Sequence, residues 1–186
     1  GYMIQLFMVS RASLERAWNM YKDISFAVET KAGVIDISGE EIQEQVEKLK
    51  SLDDIRTLIT ETLGIKKTYR ISRIIEIVLA GAIAVESSDV HIEPEEEHVR
   101  IRYRIDGVLI NIITIDRDTY HLVLSRIKLV SGLKLNIKNE AQDGRFSISI
   151  DETDTEVRTS ILPDAYGESI VMRLLNPKTI RLELPE

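Results

Sequence analysis

The sequence contains no cysteine. Disulfides, thiolate metal sites and cysteine nucleophiles are therefore excluded together, and the usage fits a reducing compartment. Long apolar runs are also missing. The longest without a charge, residues 77–85, falls far short of the roughly 20 residues that cross a bilayer. Positive charge is in deficit, with a formal net charge of -7. That argues against a general nucleic-acid binder, because neutralising phosphates needs a basic surface. No segment reads G-x-x-x-x-G-K-[ST], so the glycine nest and lysine that cradle a triphosphate are absent. The chain alone is not expected to hydrolyse ATP. Nothing resembles a nucleophile elbow, and no repeat or low-complexity tract occurs.

What is there suits a soluble globular chain. Its 186 residues are 44% hydrophobic and 30% charged, enough for one large domain or two small ones. Residues 10–21 read as a helix with Leu14, Ala17, Trp18 and Tyr21 at helical spacing. Short strands are expected at 26–29 and 34–37. Ser38 and Glu41 form a capping box for a helix running through Leu49. Ser51 and Asp54 open another, which Gly64 ends. Residues 1–64 thus read as a small mainly helical domain, and 65–69 as a polar link.

Beyond the link, 71–85 reads as a mostly apolar helix, and then the hydrophobic period changes to two. Strands are expected at 89–93, 98–105 and 108–115, the last two joined by a tight Asp106-Gly107 turn. A helix over 119–130 and a polar loop over 132–141 follow. Three further strands are expected at 145–150, 155–162 and 169–175. This second part is α+β, an antiparallel sheet with helices on one face.

Candidate chemistry is sparse. His98, Arg100, Arg102 and Arg104 alternate with Val99, Ile101, Tyr103 and Ile105, which lines three arginines along one strand face. Such a stripe is either a solvated, salt-bridged face or an anion site, since a guanidinium offers a planar fork of donors to phosphate oxygens. In Gln142-Asp143-Gly144-Arg145 the glycine is read as permitting a bend where a loop enters a strand, which leaves Arg145 free to reach outward. Arg158 faces away from Val157 and Thr159. It shares a face with Arg145 only if the strand register allows it. His91, Glu93 and Glu95 invite a metal reading, but Pro94 interrupts the geometry and no facing ligand cluster exists. No metal site is predicted.

Several strings then carry a family resemblance. Ser87-Ser88-Asp89-Val90-His91-Ile92-Glu93-Pro94 resembles the "ASDIHIEP" segment of type II secretion and type IV pilus-assembly ATPases. Ile101-Arg102-Tyr103-Arg104-Ile105-Asp106-Gly107-Val108-Leu109 resembles their "RYRIDGVL". Ser125-Arg126-Ile127-Lys128, Ala141-Gln142-Asp143-Gly144-Arg145, Val157-Arg158-Thr159-Ser160 and Gly167-Glu168-Ser169-Ile170-Val171-Met172-Arg173-Leu174-Leu175 follow in the family's order. Together they cover about residues 70–178.

The resemblance implies the amino-terminal module of a hexameric motor. It implies a PAS-like second domain over 70–178, then from 179–186 the start of a linker to a RecA-like ATPase domain that uses ATP and Mg. In the family, arginines of this second domain swing toward nucleotide phosphates. Arg145 and Arg158 match those positions, with Arg104 a third candidate, while Arg102 and Arg173 are assigned structural or interfacial roles. The implied partners are the chain's own ATPase domain, neighbouring subunits and inner-membrane platform proteins, but no nucleic acid. The implied location is cytoplasmic, at the inner membrane face through those partners. Two departures stand out: Ala141 where the family often has proline, and Ser169 where it often has arginine. Residues 1–64 match only loosely. The competing readings are a stand-alone PAS-like ligand sensor and an interaction scaffold whose arginines serve only salt bridges.

Overall fold

The structure is a computed structural model, and it describes residues 10–14, 34–36, 49, 51–65, 69–150 and 153–175. The expected strand at 26–29 and the capping box at Ser38 lie outside these. So does most of the helices expected at 10–21 and before Leu49. Residues 11–14 are helical.

A sheet of seven strands organises the described residues. These are β1 (Val34–Asp36), β2 (Asp89–Pro94), β3 (Val99–Ile105), β4 (Val108–Ile115), β5 (Gln142–Ile150), β6 (Thr153–Asp164) and β7 (Gly167–Leu175). Their order is β1-β5-β6-β7-β2-β3-β4. Six strands run antiparallel to their neighbours, and β1 adds a short parallel edge on β5. Two meanders, β2-β3-β4 and β5-β6-β7, are joined side by side through β2 and β7. Between them in sequence runs helix α3 (Arg117–Val130). Helices α1 (Leu52–Leu63) and α2 (Arg70–Ala84) precede β2. The fold is α+β.

Local chemistry explains most boundaries. Ser51 and Asp54 cap each other's backbone at the start of α1, and the Asp116 carboxylate caps α3 by accepting from the Thr119 N–H. Its bonds to Thr119 hold the Asp116 carboxyl below the usual carboxylate range. Asp106 (φ 49°) and Gly107 (φ 81°) both adopt positive φ, the geometry that lets a two-residue turn match the twist of its strands.

Alternation then sorts the sheet into two faces. Val90, Ile92, Val99, Ile101, Tyr103, Phe146, Ile148, Val157, Ile161, Ile170 and Met172 are buried on one, against α2 and α3 through Ile74, Val78, Val123 and Ile127. The Tyr103 hydroxyl donates to the Val78 carbonyl at 2.6 Å, which ties β3 to α2.

Contacts also cross the polar link. Ile55 and Ile59 of α1 are fully buried. Gly81 of α2 lies so close that a Cβ there would sit 3.0 Å from the Ile55 side chain. Arg56 donates to the carbonyls of Asn111 and Ile112 on the outer edge strand β4, beside a break in the β3–β4 register. An edge strand's free carbonyls are thereby satisfied within the chain.

The structure extends the last three expected strands. β5 begins at Gln142, with Gln142 paired to Ile161 and Gly144 to Thr159. β6 runs to Asp164 and β7 starts at Gly167, leaving only Ala165 and Tyr166 as the turn. The added residues, polar or glycine and proline, carry no apolar alternation, but backbone pairing does not depend on it.

Candidate functional site

The other face of the sheet is polar, and a single row of register partners crosses it. Arg145 on β5 stands opposite Arg158 on β6, Arg158 opposite Arg173 on β7, Arg173 opposite Asp89 on β2, and Asp89 opposite Arg104 on β3. All three arginines marked from the sequence therefore lie in one row. Arg173, assigned a structural or interfacial role, sits in the middle of it. Asp89 was not singled out. Its signal was available: an acidic residue opens a strand that otherwise reads as buried.

Asp89 is nearly inaccessible, at 4% exposure. Its Oδ1 accepts from Arg173 Nε at 2.9 Å, and its Oδ2 faces Arg104 Nε at 3.2 Å and accepts from Ser88 Oγ at 2.9 Å. Burial by itself would raise this carboxyl. The hydrogen bonds from Arg173 and Ser88 and the charges of Arg173 and Arg104 outweigh it, so the group lies below the usual carboxylate range. A second ladder runs alongside. Arg102 pairs with Glu93, and Arg100 with Glu95 at 2.5 Å. His91 Nδ1 lies 3.2 Å from Glu93 Oε1. The residues of the metal reading are thus bound to neighbouring side chains. Among the described residues no group of three potential metal ligands gathers.

Charge is consequently uneven over this face. Across β2 and β3 the arginines face carboxylates. Across β5 and β6 the match is thinner: the Arg158 side chain is 68% exposed and meets one carboxylate, Glu156, through Nε at 3.3 Å. No ion pair or hydrogen bond to the Arg145 side chain occurs among the described residues. Of the three candidates, Arg145 and Arg158 keep their guanidinium forks available, and Arg104 is engaged.

The loop before β5 fixes where Arg145 stands. Gln142 Oε1 accepts from the Lys134 N–H, and its Nε2 donates to the carbonyls of Lys134 and Ile137. Lys128, 1% exposed, donates to the same Ile137 carbonyl at 2.8 Å and to Glu168 Oε1 at 2.5 Å. Gly144 makes no bend, contrary to the expectation. A Cβ there would fall 2.4 Å from the Ser131 carbonyl oxygen and 2.8 Å from Leu133 Cδ2. Glycine is required by the close approach of the loop to the strand.

The sequence model of the family described as "Type II/IV secretion system protein" matches residues 65–186, the span that contains every member of this row. The chain belongs to that family. It is 36% identical over 159 residues to the type II secretion system protein E of Klebsiella pneumoniae, covering 85% of this chain and 31% of that protein. To the protein of the same name from Aeromonas hydrophila it is 44% identical over 116 residues, 62% of this chain and 23% of that one. To the type II secretion system protein HxcR of Pseudomonas aeruginosa it is 34% identical over 142 residues, 76% and 30%. The chain spans about a third or less of the length of these curated relatives. Among the described residues no helix is long and apolar enough to cross a membrane.

Proposed function

We propose that this family member is the amino-terminal module of a hexameric motor ATPase that drives type II protein secretion or type IV pilus assembly. Its role is to supply arginines to the nucleotide site of an adjoining ATPase domain. It would also pass nucleotide-driven motion to inner-membrane platform proteins from the cytoplasmic face. The observation that carries this reading is the in-register pair Arg145 and Arg158. Two guanidinium forks with no strong partner, on adjacent strands of an acidic protein, are suited to phosphate oxygens. Arg104 would serve from the anchored end of the same row. ATP and Mg belong to the ATPase domain of the longer protein; what this chain offers is donors placed by a rigid sheet.

A PAS-like description of the second domain is supported by the sheet order, in which the first and last antiparallel strands, β2 and β7, are central neighbours. The sensor reading has less support. The described interior gap lined by Ile74, Ile75, Val78, Ile92, Ile101, Val123, Ile127 and Met172 offers no polar side chain to orient a ligand.

The test is ATP turnover by the longer, ATPase-bearing protein carrying Arg145→Lys or Arg158→Lys, with Arg100→Lys as the matched control. Lysine keeps the charge and loses the fork. An arginine that stabilises a transferring phosphoryl group is worth about 10³ to 10⁵ in rate, so both variants should lose most turnover while the control keeps it. Near-normal rates in all three, in assembled rings, would return the face to a solvated role.

A further inference from the structure

His91 stands between the two charge ladders. Its residue exposure is only 9%, and both ring nitrogens have partners. Nδ1 lies 3.2 Å from Glu93 Oε1, and Nε2 lies 3.4 Å from Arg104 Nη2. An arginine can only donate and a carboxylate can only accept. The contacts are therefore mutually satisfied in one way: Nδ1 carries the hydrogen and donates to Glu93, while Nε2 accepts from Arg104. This neutral tautomer closes a chain of polar contacts running Arg102, Glu93, His91, Arg104, Asp89, Arg173.

We propose that His91 is a positioning residue for Arg104, holding its guanidinium through an acceptor that exists only while the imidazole is neutral. The proposal deepens the reading given above and rests on it for its effect on turnover. Arg104 has two other contacts, Asp89 Oδ2 at 3.2 Å to Nε and the Gly107 carbonyl at 3.3 Å to Nη1. The three together define the plane of the fork. Protonating the ring replaces the Nε2 lone pair with an N–H. Two donors, both cationic, then face each other at that position, and Arg104 loses the contact.

Charged groups flank the ring on each strand that borders it. From β3 come Arg102, directly opposite in register, and Arg104. From β7 comes apolar Val171 opposite, with Arg173 two residues along. On β2 itself are Asp89 and Glu93, each already engaged by arginine.

Glutamine at position 91 separates positioning from mere filling. Its amide presents one donor group and one acceptor oxygen, and it does not titrate. In the longer protein, His91→Ala should lower kcat about tenfold, the worth of one hydrogen bond, with KM for ATP within about twofold. His91→Gln should keep most of kcat, because its amide oxygen can still accept from Arg104. Equal kcat for His91→Ala and wild type, or a kcat for His91→Gln no better than that of His91→Ala, would overturn the proposal.

A readout on this chain alone keeps the two readings distinct. Nitrogen-15 spectra of the imidazole should show the Nδ1–H tautomer at pH 8, and the Arg104 guanidinium signals should shift in His91→Ala. An Nε2–H tautomer at pH 8 would overturn the proposal whatever the turnover data say. If Arg145→Lys and Arg158→Lys leave turnover intact, the motor reading fails, and the tautomer result still decides the hold on Arg104.

Discussion

Arg145 on β5 and Arg158 on β6 are directly opposed across an antiparallel pair, two like charges in register on the exposed face of the sheet. Opposed like charges weaken a sheet. A protein that keeps them together does so at a small expense in stability, and the pairing concentrates positive charge where the chain as a whole carries -7.

The first prediction follows from that opposition. Arg145→Gln should leave the fold intact and change stability by between nothing and a gain of about 0.5 kcal/mol. Salt should stabilise the wild type more than the variant, because it screens the repulsion that the variant has lost. Urea unfolding at low and high ionic strength measures both. A loss above about 1 kcal/mol would mean that Arg145 has a stabilising partner.

Asp89 should dominate the acid behaviour of this face. Asp89→Asn keeps the shape but removes the carboxylate that Arg104 and Arg173 share. The cost should be about 1–2 kcal/mol at pH 7, moderated because Arg173 is 66% exposed. The sign with pH follows from its lowered value. The folded carboxyl binds a proton less readily than the unfolded one. Its contribution is therefore complete above the unfolded value of about 3.9 and is lost as pH falls through the folded value. The stability difference between wild type and variant should be flat from pH 7 to 5 and shrink below pH 4 in urea titrations.

Gly144→Ala should cost about 1–3 kcal/mol, since the added methyl meets the Ser131 carbonyl at 2.4 Å and backbone must shift to admit it. Hydrogen exchange should report the displacement in residues 131–141 rather than in β2 or β3. An unchanged unfolding midpoint would show that the loop does not press on β5.

The buried pair Lys128–Glu168 should show strong coupling. Lys128→Met alone strands a carboxylate that is 7% exposed and should cost about 3–5 kcal/mol. Adding Glu168→Leu should recover much of that, because two well-packed apolar side chains avoid the desolvation that an ion pair incurs. The Ile137 carbonyl keeps its bond from Gln142 in both variants. Additive losses in a double-mutant cycle would contradict the pairing.

Much of this architecture is readable along the chain. The switch of hydrophobic period near residue 85, the strict alternation of β3, the Asp106-Gly107 turn and the caps at Ser51 and Gly64 are local signals, governed by local backbone geometry. They locate α1, α2, the hairpin and α3 within a few residues. Arg145, Arg158 and Arg104 could likewise be marked as candidates from residue type and motif. Their relation to one another was not available, because strand register is set by contacts between segments far apart in sequence.

The sequence by itself determined most of the strands and helices between residues 51 and 175, the polar and apolar faces of the alternating strands, and the family. Only the tertiary structure decided that Arg145, Arg158, Arg173, Asp89 and Arg104 form one row, since a shift of one residue between any two strands would send a side chain to the other face. It also decided which arginines are engaged, because Asp89 meets Arg104 and Arg173 only once β2 lies between β3 and β7. It brought β1 and α1 onto the same sheet and core from the far side of a polar link. And it gave Gly144 its reason: the need for glycine comes from a carbonyl oxygen thirteen positions earlier in the chain, brought close by the loop's return, and no local pattern encodes that approach.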